Sequence, residues 1–172
     1  PPPPPPAPTP PPRGPVNRPH AGSPHRLPQE KVLPSLGHLG ADVIMMFDGG
    51  PPPNEYDSVR QSRGRTHAWA ERCVAAKTRP DQALFGIVQG GVFRDLREQS
   101  AAFLLGLDLP GYAVGGLAVG ASKDEMHAER GWLPTTLPAD RTSDLIGVRA
   151  PDDLGNGRPP GDQAVLCGTP SR

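Results

Sequence analysis

Four short apolar runs set the limits on what this chain can fold into: Val43 to Phe47, Leu84 to Val88, Tyr112 to Val114 and Leu145 to Val148. Each is too brief for a stable helix, apolar on both faces and rich in β-branched residues, the pattern of strands in a parallel sheet covered on both sides. The first three stop abruptly, at Asp48, at Gln89 and at the pair Gly115 and Gly116. A glycine pair at a strand end packs nothing and costs backbone entropy, so it belongs where another group must come close. From Gly115 the spacing is G-G-x-x-x-G, which fits neither a dinucleotide-binding turn nor a phosphate-binding loop ending in G-K-S/T.

Between the runs lie helical signals. Val92, Leu96, Phe103 and Leu107 form an amphipathic stripe, with Arg94, Asp95, Arg97 and Glu98 expected to face water. Val59, Trp69, Cys73 and Ala76 indicate an earlier helix, weakened by Gly64, and the S-x-x-E box from Ser122 to Glu125 should open a later one. Alternating strands and helices make the chain α/β and leave two architectures, a doubly wound sheet or a (β/α)8 barrel. The first calls for a phosphate-binding glycine loop after the first strand, and FDGGPPP is a poor one. The barrel calls for polar or glycine residues at the C-terminal ends of several strands, which Asp48, Gln89, Gly115 and Gly116 supply.

Composition limits the folded share. The 26 prolines and 21 glycines exceed a quarter of the 172 residues, and the opening PPPPPPAPTPPP has almost nothing to bury. Residues 1–28 are therefore expected to be a disordered proline-rich tail, and residues 29–172 a barrel-type domain. P-x-x-P spacing recurs in that tail, but in so biased a tract it arises by chance. The formal net charge is zero, so nucleic acid could be held only by a local patch, for which Arg60, Arg63, Arg65 and Arg72 are candidates beside the plainer reading of a solvated helix face. Cys73 and Cys167 lack C-x-x-C spacing and the five histidines lack ligand spacing, so neither a disulfide framework nor a metal site is expected. With no long apolar run and no signal segment, a soluble cytoplasmic protein away from membranes is expected.

The strings ADVIMMFD, ALFGIVQGGVFRDLRE, GYAVGGLAVG and DLIGVRAPDDL, in this order and spacing, resemble the tRNA-guanine transglycosylases, or queuine tRNA-ribosyltransferases. The resemblance runs from about His25 to the C-terminus. It implies a partial TIM barrel, with tRNA and a 7-deazaguanine base as partners. In that family a carboxylate attacks ribose C1′ and expels guanine, a second carboxylate helps deprotonate the incoming base, and the target base leaves its stack. By resemblance Asp48 accepts from ring N–H groups, Gln89 reads the carbonyl edge, and main-chain groups at Gly116 and Leu117 bond the base, with Gly115 and Gly116 leaving room for the heterocycle. Taken singly, a strand-end Asp or Gln reads as a turn former or a solvated group; four matching strand ends favour the site. Gly147, Val148, Arg149, Ala150, Pro151, Asp152 and Asp153 match a loop that contacts tRNA, with Arg149 in place of a glycine.

Departures weigh against activity. VLCGTPSR matches F-D-C-x-x-P-T-R with Leu166 where the nucleophilic aspartate stands, and leucine has no lone pair to attack carbon. Asp162 could replace it only with a shifted register. Gly50 and Ala121 replace a cysteine and a base-selecting glutamate. The part of the family's barrel bearing the general base, and the cysteine-rich subdomain with its structural zinc, have no counterpart here, so no cofactor is expected. The resemblance leaves three readings: a degenerate transglycosylase inactive by itself, a non-catalytic partner in a homo- or heterodimer with an intact one, or a proline-tail interaction protein on a barrel scaffold.

Overall fold

Short apolar runs can satisfy their backbone only by pairing with one another, and here they pair in the order in which they are made. The computed structural model describes residues 15–17, 24–26, 29–116, 136–148 and 164–167. Two short strands come first, β1 (Pro15–Asn17) and β2 (Pro24–Arg26), and then helix α1 (Gln29–His38). The alternation that follows is β3 (Val43–Met45), α2 (Tyr56–Ala76), β4 (Ala83–Val88), α3 (Arg94–Leu105) and β5 (Gly111–Val114), with β6 (Thr142–Val148) and β7 (Ala164–Cys167) completing the described strands. Strands β3 to β7 form one parallel sheet whose spatial order is the sequence order. A doubly wound sheet reverses its order at a switch point. No reversal occurs among these five strands, so the barrel alternative holds, as a partial (β/α)8 barrel.

Register builds the barrel's layers. Met45, Phe85, Gly111 and Thr142 share one row, and Ile87, Ala113, Asp144 and Ala164 the next. Leu84 and Val88, which alternate with Phe85 and Ile87, are buried in a core shared with Cys73, Leu104 and Leu109. Strand β3 lies at one end of the sheet, and Val43 on it stays exposed. Among the described residues no helix is long and apolar enough to cross a membrane.

Several local expectations need correction. Inside the segment expected to be a disordered tail, β1 and β2 pair antiparallel, Val16 opposite His25; proline is tolerated in such short strands where its missing N–H is not called upon. Helix α1 was not foreseen, because Pro34 interrupts its pattern, yet it anchors Leu33 in the core. In α2 the buried stripe is Val59, Ser62, Thr66, Ala70 and Cys73. Trp69 is only half-buried, meeting Phe47 edge-on at 6.5 Å. The helix expected from Ser122 lies outside the described residues.

The largest correction concerns Arg97, expected to face water and in fact wholly buried. Its Nε donates to the Gly91 carbonyl at 2.7 Å, Nη2 to Gly115 at 3.1 Å and Nη1 to Val88 at 3.5 Å. The planar fork of a guanidinium suits such a set of acceptors, and hydrogen bonding offsets the desolvation of its charge. Nearby, α2 and α3 meet where the His67 ring stacks on Phe103 at 4.1 Å, with Nε2 3.3 Å from Ser100 Oγ. Burial first, and the charge of Arg63 second, hold the His67 pKa down to about 4.

Two outcomes are expected. Arg97→Ala should lower unfolding stability by roughly 3 kcal/mol, because the Gly91 and Gly115 carbonyls lose their donor and Val88 keeps only the Gly115 amide, whereas Arg94→Ala at an exposed pair with Glu98 should change it by less than about 0.5 kcal/mol. Urea titration of the two variants checks this. Because the unfolded chain protonates His67 near pH 6.5 and the native state only near pH 4, stability should fall as pH drops through that window and level off below it. Titrations repeated across the window should show the fall reduced by roughly 2 kcal/mol in His67→Gln.

Candidate functional site

A parallel strand delivers its last residue to the C-terminal face of the sheet, and neighbouring strands in register deliver theirs side by side. Here β3, β4 and β5 are succeeded by Asp48, by Gln89 and by Gly115 and Gly116. The three ends meet. Gln89 Nε2 donates to Asp48 Oδ2 at 2.6 Å, and the Gly115 amide donates to the Val88 carbonyl at 3.1 Å. Gln89 itself is buried, its own amide donating to Ser100 Oγ at 3.1 Å, so α3 holds the end of β4 from behind.

The glycine pair has a steric cause. A Cβ on Gly115 would stand 2.6 Å from Gln89 Nε2, and one on Gly116 would stand 2.6 Å from Gln89 Oε1. The space that side chains at these positions would take is occupied by the Gln89 carboxamide. Gly116 also has φ +75°, a left-handed conformation that side chains disfavour. Behind these residues, a crevice bounded by Gly49, Gln89, Gly91 and Gly116 has a volume of about 10 Å³, enough for no more than one water.

Electrostatics single out Asp48. Part of the residue still meets solvent, but burial of its carboxyl raises its pKa above the ordinary value, against the opposing pull of the Gln89 donor and of backbone hydrogen bonding. An ionised Asp48 therefore has spare acceptor capacity that neighbouring N–H groups would stabilise. The arrangement is an acceptor, Asp48, beside a donor, the Gln89 amide, with the glycine backbone adjoining. It can read a flat heterocycle that offers donors and a carbonyl along one edge.

Other expected site residues are placed less closely. Gly147 and Val148 end β6, and Leu166 on β7 pairs in register with Ile146. That pair is two positions along from Asp144 and Ala164, towards the C-terminal ends of the strands. Leu117 and Arg149, Ala150, Pro151, Asp152 and Asp153 lie outside the described residues. The arginines of α2 do not make a free stripe: Arg60 pairs with Asp57 at 3.4 Å and Arg63 donates to Gln99 at 2.5 Å. No cluster of three His, Cys, Asp or Glu residues suited to a metal ion occurs among the described residues. Arg97, Ser100 and His67, which brace the site, were missed by sequence reasoning; the only signal for Arg97 and Ser100 was their closeness to the Q-G-G turn on the same helix as Leu96 and Leu104.

Comparison with known proteins gives the family. The family described as queuine tRNA-ribosyltransferase matches residues 14–159. Proteins named queuine tRNA-ribosyltransferase from Halothermothrix orenii and Bacillus licheniformis are 46% identical over 152 residues and 48% identical over 148 residues. These alignments cover 88% and 85% of this chain, but 41% and 39% of the relatives. A third, from Symbiobacterium thermophilum, is 48% identical over 153 residues, covering 88% of this chain and 38% of its own. The chain thus spans about two fifths of the length of the curated relatives it matches. Together with the parallel sheet in sequence order, the match over most of its length shows that the chain belongs to the queuine tRNA-ribosyltransferase family.

Proposed function

We propose that this chain carries the base-recognition part of a tRNA-guanine transglycosylase and binds guanine or a 7-deazaguanine precursor of queuosine. The observation that carries the reading is the pairing of Asp48 with Gln89 beside Gly116. A guanine-type ring presents N–H donors next to a carbonyl oxygen. Asp48 accepts from the donors, while the Gln89 amide turns from Asp48 to the carbonyl, with main-chain groups at Gly116 and Leu117 completing the edge. Because the crevice behind Gln89 holds only about 10 Å³, the ring lies on the open side of the pair. The tRNA enters along Gly147, Val148 and the segment from Arg149 to Asp153.

Bond-making is a separate matter. In the family a carboxylate opens the glycosidic bond, and Leu166 occupies that position here. Its side chain offers no nucleophile, so the covalent ribosyl-enzyme does not form on this residue. The chain by itself recognises the base without exchanging it. Leu166 also favours a second reading, a non-catalytic subunit beside an intact transglycosylase, for which co-purification with such an enzyme is the test.

Calorimetry with 7-deazaguanine should detect binding, and Asp48→Ala should weaken it at least about 30-fold through loss of charge-assisted hydrogen bonds. Equal affinities in the two proteins would overturn the assignment. Since the ring N–H groups favour the ionised carboxylate, affinity should fall as pH is lowered through the raised Asp48 pKa, and Asp48→Asn should lose that dependence. Incubation with tRNA and labelled guanine should give neither exchange nor a trapped covalent adduct; turnover would contradict the role assigned to Leu166.

A further inference from the structure

We infer that Arg97 is a positioning residue for base recognition: by holding the Gly115 carbonyl, it aims the Gly116 N–H at the oxo group of the bound ring. The inference rests on the base-binding reading above. Gly115 C=O and Gly116 N–H belong to one peptide unit, and the described residues contain no cis peptide bond. In a planar trans unit the two point in opposite directions. Arg97 Nη2 holds the oxygen at 3.1 Å, so the N–H is turned away from the guanidinium.

That orientation is fixed from more than one side. The preceding peptide unit is held as well: the Gly115 amide is tied to Val88, whose carbonyl also accepts from Arg97, so the units on both sides of the Gly115 Cα are anchored to the same guanidinium cluster. The third bond, to Gly91, holds the turn after Gln89 to the same guanidinium. The Gly116 N–H takes no partner among the described residues, while Gln89 Oε1 lies 2.6 Å from where a Cβ on Gly116 would stand. A donor left open beside the Gln89 carboxamide is placed to share a carbonyl oxygen with it. Arg97 touches no ligand itself; it sets the direction in which the backbone reads.

The test compares 7-deazaguanine with 2-amino-7-deazapurine, which lacks the oxo group, on the full chain and on Arg97→Lys. Lysine keeps the charge but cannot span three carbonyls with a fixed fork. Wild type should prefer the oxo compound, and Arg97→Lys should lose about tenfold of that preference, while retaining affinity for the compound without it. In 15N-labelled protein the Gly116 amide resonance should shift on adding 7-deazaguanine to wild type and stay put in Arg97→Lys. An equal loss of affinity for both compounds would overturn the inference, since general loosening acts on both alike. Should Arg97→Lys fail to fold, the wild-type spectrum decides: a Gly116 amide unmoved by 7-deazaguanine while the Gln89 side-chain amide shifts refutes the positioning role. If wild type binds neither compound, the base-binding reading fails first and the inference with it.

Discussion

The buried guanidinium of Arg97 is the contact on which the rest of the site depends. Where parallel strands finish, some carbonyls pass beyond the reach of the neighbouring strand's amides. A buried carbonyl without a donor costs about 1–3 kcal/mol, and Arg97 serves those of Val88, Gly91 and Gly115. It does so from the first turns of α3, the helix that β4 leads into. Strand end, turn and next strand end are thereby held as one piece. An apolar residue at this position would pack, but it would leave the Gly91 and Gly115 carbonyls without their donor.

The Asp48 and Gln89 pair builds on that frame. Without a ligand each satisfies the other, so neither desolvated group is orphaned. The pair is nevertheless incomplete, because a carboxylate accepts more than one bond and burial has raised its pKa. A ring with adjacent N–H groups and a carbonyl exchanges one internal hydrogen bond for several. On the proposed reading, this pre-arrangement limits the conformational entropy lost when a base binds.

Much of this was legible in the sequence, and what was not has a physical reason. Apolar runs that stop at Asp48, Gln89 and Gly115 announce strands and their functional ends, because a parallel strand buries both faces and frees its last residue. Arg97 was hidden because periodicity assigns charge to water and cannot foresee three carbonyl acceptors supplied by distant segments. The stripe of α2 was partly hidden because Ser62 and Thr66 look polar; Thr66 Oγ1 donates to the Ser62 carbonyl and accepts from the Gly49 amide at 3.0 Å, so its hydroxyl is consumed inside the fold. Helix α1 was hidden by Pro34. The glycine pair was found, but the closeness of the Gln89 carboxamide to it was not, since sequence spacing does not show which side chain packs against a strand end.

The division of labour among strands explains how recognition can outlast chemistry on the proposed reading. On that reading base contacts are assigned to the ends of β3, β4 and β5, braced by α3, and the position matching the family's attacking carboxylate to Leu166 on β7. Between them stands β6, which pairs with both β5 and β7. The Asp48–Gln89 bond and the bonds of Arg97 to Val88, Gly91 and Gly115 are made with Leu166 in place of an aspartate. An aspartate at that position would place a second carboxylate among the same strand ends, adding repulsion that catalysis must tolerate and binding alone need not. Loss of the nucleophile therefore leaves the pressure to keep the base-reading residues intact wherever binding itself is of use.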